Sequence, residues 1–185
     1  MKTIITGLLI ALGVMWGCES STYTFVSTIT KDLEYTVGKE GNFSESYSLY
    51  ADDFNDDLDL PEDATIGGVY IESFPIEAEP QPDNEASAVK INCYAGTETQ
   101  PFAQDVVLPV DLSFSLASMP GLVSSGISSL RNELEGFVID SDPQSIAFRI
   151  EGDSDPDPGE RISVVVTIHV TITVAYDVEN ELIGF

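Results

Sequence analysis

The alternation of apolar and polar residues from Arg161 to Asp177 constrains the fold of this chain more than any other feature. One face of this segment is apolar or aromatic throughout and comprises Ile162, Val164, Val166, Ile168, Val170, Ile172, Val174 and Tyr176. The other face is mostly polar and carries His169 between Thr167 and Thr171. Side chains of a β-strand alternate between the two faces of a sheet. The segment is therefore predicted to be a long antiparallel strand with one buried face and one wetter face.

Earlier parts of the chain show the same alternation less perfectly. These segments are residues 22–30, 33–37, 43–50, 68–78, 86–95, 105–116 and 145–151. Seven or eight strands in about 165 residues after the leader predict two packed antiparallel sheets, which is a mainly β fold of the β-sandwich type. The proline-rich stretch at residues 75–82 is too short to separate domains, so a single domain is expected.

Two segments depart from the strand pattern. Apolar residues recur at three- and four-residue spacing behind Pro120, at Met119, Val123, Ile127, Leu130 and Leu134. This spacing predicts an amphipathic helix of about four turns. Tyr50, Phe54 and Leu58 have helical spacing before Pro61 and predict a second, shorter helix or turn. Both helices are expected to cross between the sheets or to cover an open edge of the sandwich.

The N-terminus has the features of an export signal. Lys2 precedes an apolar run from Ile4 to Trp16, and about 13 residues are too few to span a hydrocarbon core of ~30 Å as a helix. A charged start followed by a short apolar run is typical of a secretory leader. The run ends at Gly17 and Cys18, and polar residues follow directly.

Residues 15–18, Met-Trp-Gly-Cys, resemble the lipobox of bacterial lipoprotein signals. Gly17 and Cys18 match its pattern, whereas Met15 and Trp16 depart from it. The resemblance implies cleavage before Cys18, acylation of Cys18 with fatty acids such as palmitate, and anchoring in the bacterial cell envelope, at the outer membrane or cell surface rather than the inner membrane. The domains are then residues 1–17 as signal peptide, 18–22 as lipidated cysteine and tether, and 23–185 as the sandwich. Ordinary signal-peptide cleavage and an uncleaved anchor are the alternatives.

Charge excludes one large class of partners. The chain has 7 Lys and Arg against 32 Asp and Glu, a formal net charge of −25. Cleavage after residue 17 removes Lys2 and no acid, which leaves 6 basic and 32 acidic residues and a charge of −26. A polyanion repels phosphate backbones, so nucleic acid is excluded as a partner. The acidity also keeps an exposed domain soluble, so it does not by itself imply a cationic ligand.

Cysteine usage agrees with lipidation. The chain has two cysteines, and acylation of Cys18 leaves Cys93 without an intramolecular partner, which excludes a disulfide scaffold. Val89, Ile91 and Cys93 share one face of an alternating segment. Cys93 is therefore predicted to be a small buried hydrophobic residue rather than a reactive thiol.

Calcium is the candidate cofactor. The loop at residues 152–160 carries four candidate metal ligands, Asp153, Asp155, Asp157 and Glu160. Carboxylates on a tight loop can supply the oxygen ligands that calcium requires, although this loop does not match the EF-hand pattern. The alternative is a solvated hairpin whose Asp, Pro and Gly residues form the turn. A second acidic group has two interpretations: a metal site, or the solvent-exposed face of the short helix. Its residues are Asp52, Asp53, Asn55, Asp56, Asp57 and Asp59.

No catalytic residues are assigned. His169 is the only histidine, and no serine or cysteine motif supplies it with a nucleophile. One histidine and one non-lipidated cysteine cannot build the usual transition-metal ligand sets. Paired carboxylates remain an alternative, because 32 acids include many pairs that a fold could bring together.

The sequence therefore favours a non-enzymatic, lipid-anchored β-sandwich that acts as a binding, structural or adhesion module of the cell envelope. Its expected partners are the membrane, through the N-terminal lipid, and a protein or glycan, with self-association as a variant. The alternative is a small envelope hydrolase that uses two carboxylates. Two acids in a cleft, one with a raised pKa, would favour the hydrolase.

Overall fold

The computed structural model describes residues 21–58, 60–61, 63–110, 117–118, 121–140 and 144–180. Within these residues the chain forms nine strands and two helices. The strands are β1 (Ser21–Glu40), β2 (Phe43–Tyr50), β3 (Thr65–Ser73), β4 (Pro75–Pro80), β5 (Ala88–Ala95), β6 (Ala103–Pro109), β7 (Ala117–Ser118), β8 (Ser145–Asp155) and β9 (Arg161–Asn180). The helices are α1 (Ala51–Leu58) and α2 (Ser124–Asp140).

The strands form two antiparallel sheets. Sheet A has the order β1-β9-β4-β7, and β3 also pairs with β9. Sheet B has the order β2-β8-β5-β6. Helix α1 connects β2 of sheet B to β3 of sheet A, and α2 connects β7 of sheet A to β8 of sheet B. The prediction of a mainly β fold with packed antiparallel sheets is confirmed.

Strand β9 is the centre of sheet A. Its whole length pairs with β1, from Ser21 opposite Asn180 to Glu40 opposite Arg161, and its other edge pairs first with β4 and then with β3. The predicted apolar face is buried from Ile162 to Val174. Packing of the two sheets removes all of these side chains from water. Strand β9 is therefore the main contributor to the core among the described strands.

Some strand boundaries differ from the prediction because pairing overrides local composition. Residues 22–30 and 33–37 belong to one strand, β1, since its pairing with β9 continues without interruption. Residues 68–78 fall into two strands, β3 and β4, which separate at the buried Phe74 before Pro75. Proline lacks a backbone N–H and so weakens a ladder at that point. Strand β1 begins at Ser21, within the segment predicted as the tether.

The helices bury most of the predicted residues. Leu130 and Leu134 of α2 and Phe54 and Leu58 of α1 are core residues. Phe54 and Phe137 form an edge-to-face contact between the helices with ring centroids 5.6 Å apart. Tyr50 was predicted to share the stripe of Phe54, but its side chain is 55% exposed because it ends β2 on the outer face of sheet B. Met119 lies outside the described residues.

Helix α2 starts later than its apolar spacing predicts and packs tightly at its first turn. Gly126 lies against the backbone of the segment before β6, and a Cβ atom placed there would be 2.3 Å from the Pro101 carbonyl oxygen and 2.6 Å from the Phe102 Cα. Only glycine permits this approach, so Gly126 fixes how α2 sits on the sandwich.

Candidate binding groove

An open groove lies on the outer face of sheet B, where the strands turn polar side chains to solvent. Val89, Ile91 and Cys93 of β5 point into the core, so Lys90 and Asn92 point outward. The groove has a volume of about 740 Å³. Its polar lining residues include Ser44, Lys90, Asn92, Asp105, Glu151 and Asp153.

A bulge between β5 and β6 positions one side of the groove. The pairing of these strands shifts between Ile91 and Cys93, and Asp105 adopts a positive φ of 55° there. The Asp105 backbone N–H donates to the Asn92 Oδ1 at 2.9 Å, and its carboxylate accepts from the Lys90 Nζ at 2.7 Å. The hydrogen bond from Lys90 to Asp105 raises the pKa of Lys90, so the ammonium form persists. Bulges of this kind redirect side chains near functional sites.

Arg149, Tyr94 and Glu151 form a connected group beside the groove. The Arg149 guanidinium lies over the Tyr94 ring, 4.4 Å from its centroid, and forms an ion pair with Glu151. The pKa of Tyr94 is raised by desolvation and by its interaction with Glu151. Stacked and hydrogen-bonded side chains lose little freedom when a ligand binds, so this group is a preorganised platform.

The groove can recognise a ligand that both donates and accepts hydrogen bonds. Lys90 in the groove and Arg149 beside it are donors, whereas Asp105 and Glu151 are acceptors, and Asn92 can do both. Each cation is paired with a neighbouring acid, so the face offers alternating charges rather than a positive patch. A neutral ligand rich in hydroxyl groups suits such a surface better than an anion.

The loop predicted to bind calcium lies at one end of the groove. Its Asp153 and Ser154 side chains form hydrogen bonds within the loop itself. The Asp153 Oδ1 accepts the backbone N–H groups of Ser154, at 2.8 Å, and Gly159, at 3.3 Å. The buried Ser154 hydroxyl donates to the Asp157 carbonyl oxygen at 2.7 Å and accepts the Glu160 N–H at 3.1 Å. These bonds give the loop the architecture of an ordered hairpin turn.

The described residues do not bring the predicted ligands into one cluster. In this part of the chain no group of three or more His, Cys, Asp or Glu side chains is arranged to hold a metal ion. The two backbone hydrogen bonds of Asp153 both end on its Oδ1 and serve the turn. The calcium site therefore stays a prediction.

The second acidic group lies on α1. Asp52, Asp56 and Asp57 are exposed, and Asp57 forms an ion pair with Lys31 of β1 at 2.5 Å. The side chains of Asp53, Asn55 and Asp59 lie outside the described part. The described acids of α1 thus form the wet face that opposes the buried Phe54 and Leu58.

His169 links three strands on the outer face of sheet A. Its Nδ1 is 2.6 Å from the Asp32 Oδ1 on β1, and its Nε2 is 3.4 Å from the Glu77 Oε1 on β4. The hydrogen bond to Asp32 is the main cause of its raised pKa, and the charges of Asp32 and Glu77 add to it. Both ring nitrogens thus face carboxylates, which is the arrangement of a cross-strand ion pair.

Cys93 is a core residue, as predicted. Its side chain is fully buried, and burial raises the pKa of the thiol to about 12. A thiol in this environment stays protonated and unreactive. Cys18, the predicted lipidation site, lies outside the described residues.

A pair of glutamates that the sequence did not single out meets between α2 and the turn after β5. Glu133 lines a cavity of about 300 Å³ together with Gly96 and Thr97. Desolvation is the main cause of its raised pKa, and the Glu98 carboxylate adds to it. The Glu133 Oε2 is buried and has no hydrogen-bond partner, while the Ser129 hydroxyl donates to the Glu98 Oε1 at 2.7 Å. The two acids are far apart in sequence, and no local motif marks them.

Within the ranges that the structure describes, neither helix is both long and apolar enough to cross a membrane.

Comparison with known proteins identifies no family. No protein-family model matches the chain, and no characterised protein sequence matches it. A solved structure of turnip yellow mosaic virus aligns with 85% of this chain and 83% of its own at 14% identity and a TM-score of 0.30. One of Desmodium yellow mottle tymovirus covers 91% of both chains at 8% identity and a TM-score of 0.28. One of infectious bursal disease virus, Gx strain, aligns over 90% of this chain and 38% of its own at 13% identity and a TM-score of 0.30. Likeness at this level indicates neither a shared fold nor a shared function.

Proposed function

We propose that this protein is a lipid-anchored, non-enzymatic binding module of the bacterial cell envelope, and that the groove on sheet B binds a neutral glycan. The observation that carries the proposal is the groove itself, in which hydrogen-bond donors and acceptors alternate beside the platform of Tyr94 and Arg149. Sugar hydroxyl groups both donate and accept, and sugar rings stack on flat side chains. The strongly negative charge of the chain disfavours an anionic ligand.

The position of the groove suits an anchored binding protein. Strand β1 starts at Ser21, close in sequence to Cys18, and runs for 20 residues to Glu40. Asn42 and Phe43, just beyond its far end, line the groove. At about 3.3 Å per strand residue, β1 has a contour length of roughly 60 Å, so Asn42 and Phe43 follow the end of the strand away from Cys18. Acylation at Cys18 would therefore present the groove to the exterior.

Glycan binding is tested with a panel of immobilised neutral oligosaccharides and the full chain in detergent. Asn92→Ala and Tyr94→Ala should each weaken binding by about fivefold or more, because a net hydrogen bond contributes about 1 kcal/mol. Ser48→Ala is the matched control, since Ser48 is exposed on the same sheet but does not line the groove. Equal binding by all three variants, or binding to none of the oligosaccharides, would contradict the proposal.

Anchoring is tested by mass spectrometry of the protein made with its leader in a bacterial host. The N-terminal peptide should begin at Cys18 and carry acyl chains, and Cys18→Ser should lack them and leave the membrane fraction. An unmodified N-terminus would refute the anchoring while leaving the groove unaffected.

A second candidate, hydrolysis by a carboxyl pair, is favoured by Glu98 and Glu133. An acid with a raised pKa is suited to donate a proton to a leaving group, and the neighbouring Glu98 carboxyl group to assist attack. On this hypothesis Glu133→Gln lowers the release of reducing ends from envelope glycan by about 10²–10⁴-fold. Glu135→Gln, two positions along α2, is the control and should leave the rate unchanged. Absence of any release by the unmodified protein would rule the hydrolase out.

A further inference from the structure

One end of sheet A is a ribbon of β1 and β9 with an exposed aromatic face, and β3 lines the other edge of β9 as far as Thr65 opposite Asp177. This tip ribbon consists of residues 21–28 of β1 paired with residues 173–180 of β9. Tyr23 is 50% exposed and Phe25 48% exposed, although they continue the face on which Ile29 is 9% and Leu33 0% exposed. The alternation that buries the core side of β1 thus continues past the point where that side is buried.

The aromatic face is continuous across both strands. Tyr23 lies opposite Val178, and Phe25 lies opposite Tyr176. The Phe25 and Tyr176 rings stack with centroids 5.7 Å apart and an interplanar angle of 26°. Among the described residues, α1 ends against the ribbon at Ser27, whose hydroxyl donates to the Leu58 carbonyl oxygen at 3.2 Å. Tyr23 and Phe25 lie beyond that contact.

The acidic groups of the ribbon lie on the opposite face. Asp177 and Glu179 alternate with Tyr176 and Val178 along β9, so they point away from the aromatic rings. The Asp177 carboxylate accepts a hydrogen bond from the Thr24 hydroxyl at 2.6 Å. The ribbon therefore has aromatic rings on one side, and threonines, acids and the exposed Val26 on the other.

We propose that the aromatic face of the tip ribbon rests on the membrane, with Tyr23 and Phe25 at the level of the lipid headgroups. This proposal rests on the proposed anchoring at Cys18. Phe25 is seven residues from Cys18, so the lipid holds it within about 25 Å of the membrane surface. Aromatic side chains are enriched at membrane interfaces, where an apolar ring and a polar group are both satisfied. The tether also gives a weak contact a high effective concentration.

The contact adds a second attachment to that of the lipid. A lipid on a short tether alone permits the sandwich to tilt freely, whereas a second, aromatic contact restricts that tilt. Because the overall charge is strongly negative, the contact is apolar and suits a zwitterionic surface.

The test places a single tryptophan on the ribbon of the full chain. Trp16 is the only tryptophan and lies in the leader, so the processed protein contains none. F25W and the matched control V107W, an exposed position on β6 of sheet B, are made with the leader, and mass spectrometry establishes their acylation. Both are reconstituted into phosphatidylcholine vesicles with and without brominated acyl chains. Y23W repeats the measurement in case F25W fails to fold, as judged by circular dichroism.

Membrane contact predicts that brominated lipid quenches the fluorescence of F25W and Y23W and leaves V107W unquenched. An acylated F25W that is quenched no more than V107W overturns the membrane contact and leaves the anchoring intact. Emission of F25W that shifts to the blue with increasing protein density, but is not quenched, shows that a second copy covers the face and also overturns the proposal. A protein without acyl chains refutes the anchoring, and the membrane contact with it.

Discussion

The contact of His169 with two carboxylates predicts a stability that depends on pH. His169 sits directly opposite Asp32 in the pairing of β1 and β9, and its second ring nitrogen faces Glu77 of β4. The perturbation is His169→Gln, which keeps a hydrogen-bonding side chain and removes the titrating charge. Because this is the only histidine, no other imidazole contributes to the comparison.

The direction of the stability change with pH follows from the raised pKa of His169. The imidazolium is favoured in the folded chain, so its pKa lies above the ordinary value of 6.5. The stabilisation it provides is fully present below about pH 6.5 and is lost as the pH rises through the folded pKa. Exposed ion pairs contribute about 0.2–1 kcal/mol, and His169 and its partners are only partly shielded. We expect H169Q to be less stable by up to about 1 kcal/mol near pH 5.5 and equally stable near pH 9.

Two measurements check this expectation. The ring protons of His169 give a single NMR titration curve, and urea unfolding gives the stability of both proteins at each pH. Asp32→Asn should bring the pKa back toward 6.5, whereas Asp177→Asn, on the same face but bonded to Thr24, should leave it unchanged. A measured pKa at or below 6.5, or the same stability difference at both pH values, would refute the reasoning.

Three further outcomes are expected. Gly126→Ala should destabilise the fold by about 1–3 kcal/mol in urea unfolding, because the new methyl group would overlap the Pro101 carbonyl oxygen. The loss should appear although alanine has a better helix propensity than glycine. The control, Ser125→Ala at an exposed position of the same helix, should be neutral or slightly stabilising. If the loop at residues 152–160 binds calcium, calcium should raise the unfolding temperature more than magnesium or sodium chloride of matched ionic strength. Asp157→Asn should reduce that rise. Equal rises with all three salts would indicate charge screening. Cys93 should react with a thiol reagent only when urea unfolds the chain, and rapid labelling of the native protein would contradict its burial.

The strands could be predicted from sequence because a period of two translates directly into burial. The face of β9 that was read as apolar is the face that is buried. The helices were predictable in kind but less so in extent, since the start of α2 depends on the close approach of Gly126 to Pro101. That approach is a tertiary contact and leaves no periodic signal.

The candidate sites could not be predicted, because each is assembled by pairing between distant strands. Asp32 and His169 are 137 residues apart, and only the register of β1 with β9 brings them together. Lys90, Asp105 and Glu151 come from three strands and meet through the order of sheet B and a bulge. Alternation shows which residues point outward from one strand, but it does not show which strand lies beside it.

The few cations of this acidic chain are placed where elements meet. Lys31 joins β1 to α1, Lys39 joins β1 to β2 through Glu45, and Lys90 joins β5 to β6. Each pair is partly exposed and contributes little on its own, but each cation also reduces the repulsion between acids on neighbouring elements. Because these cations are paired within the protein, few remain to attract an anion. The same distribution supports the proposal of a neutral ligand for the groove and of an aromatic, uncharged contact at the tip.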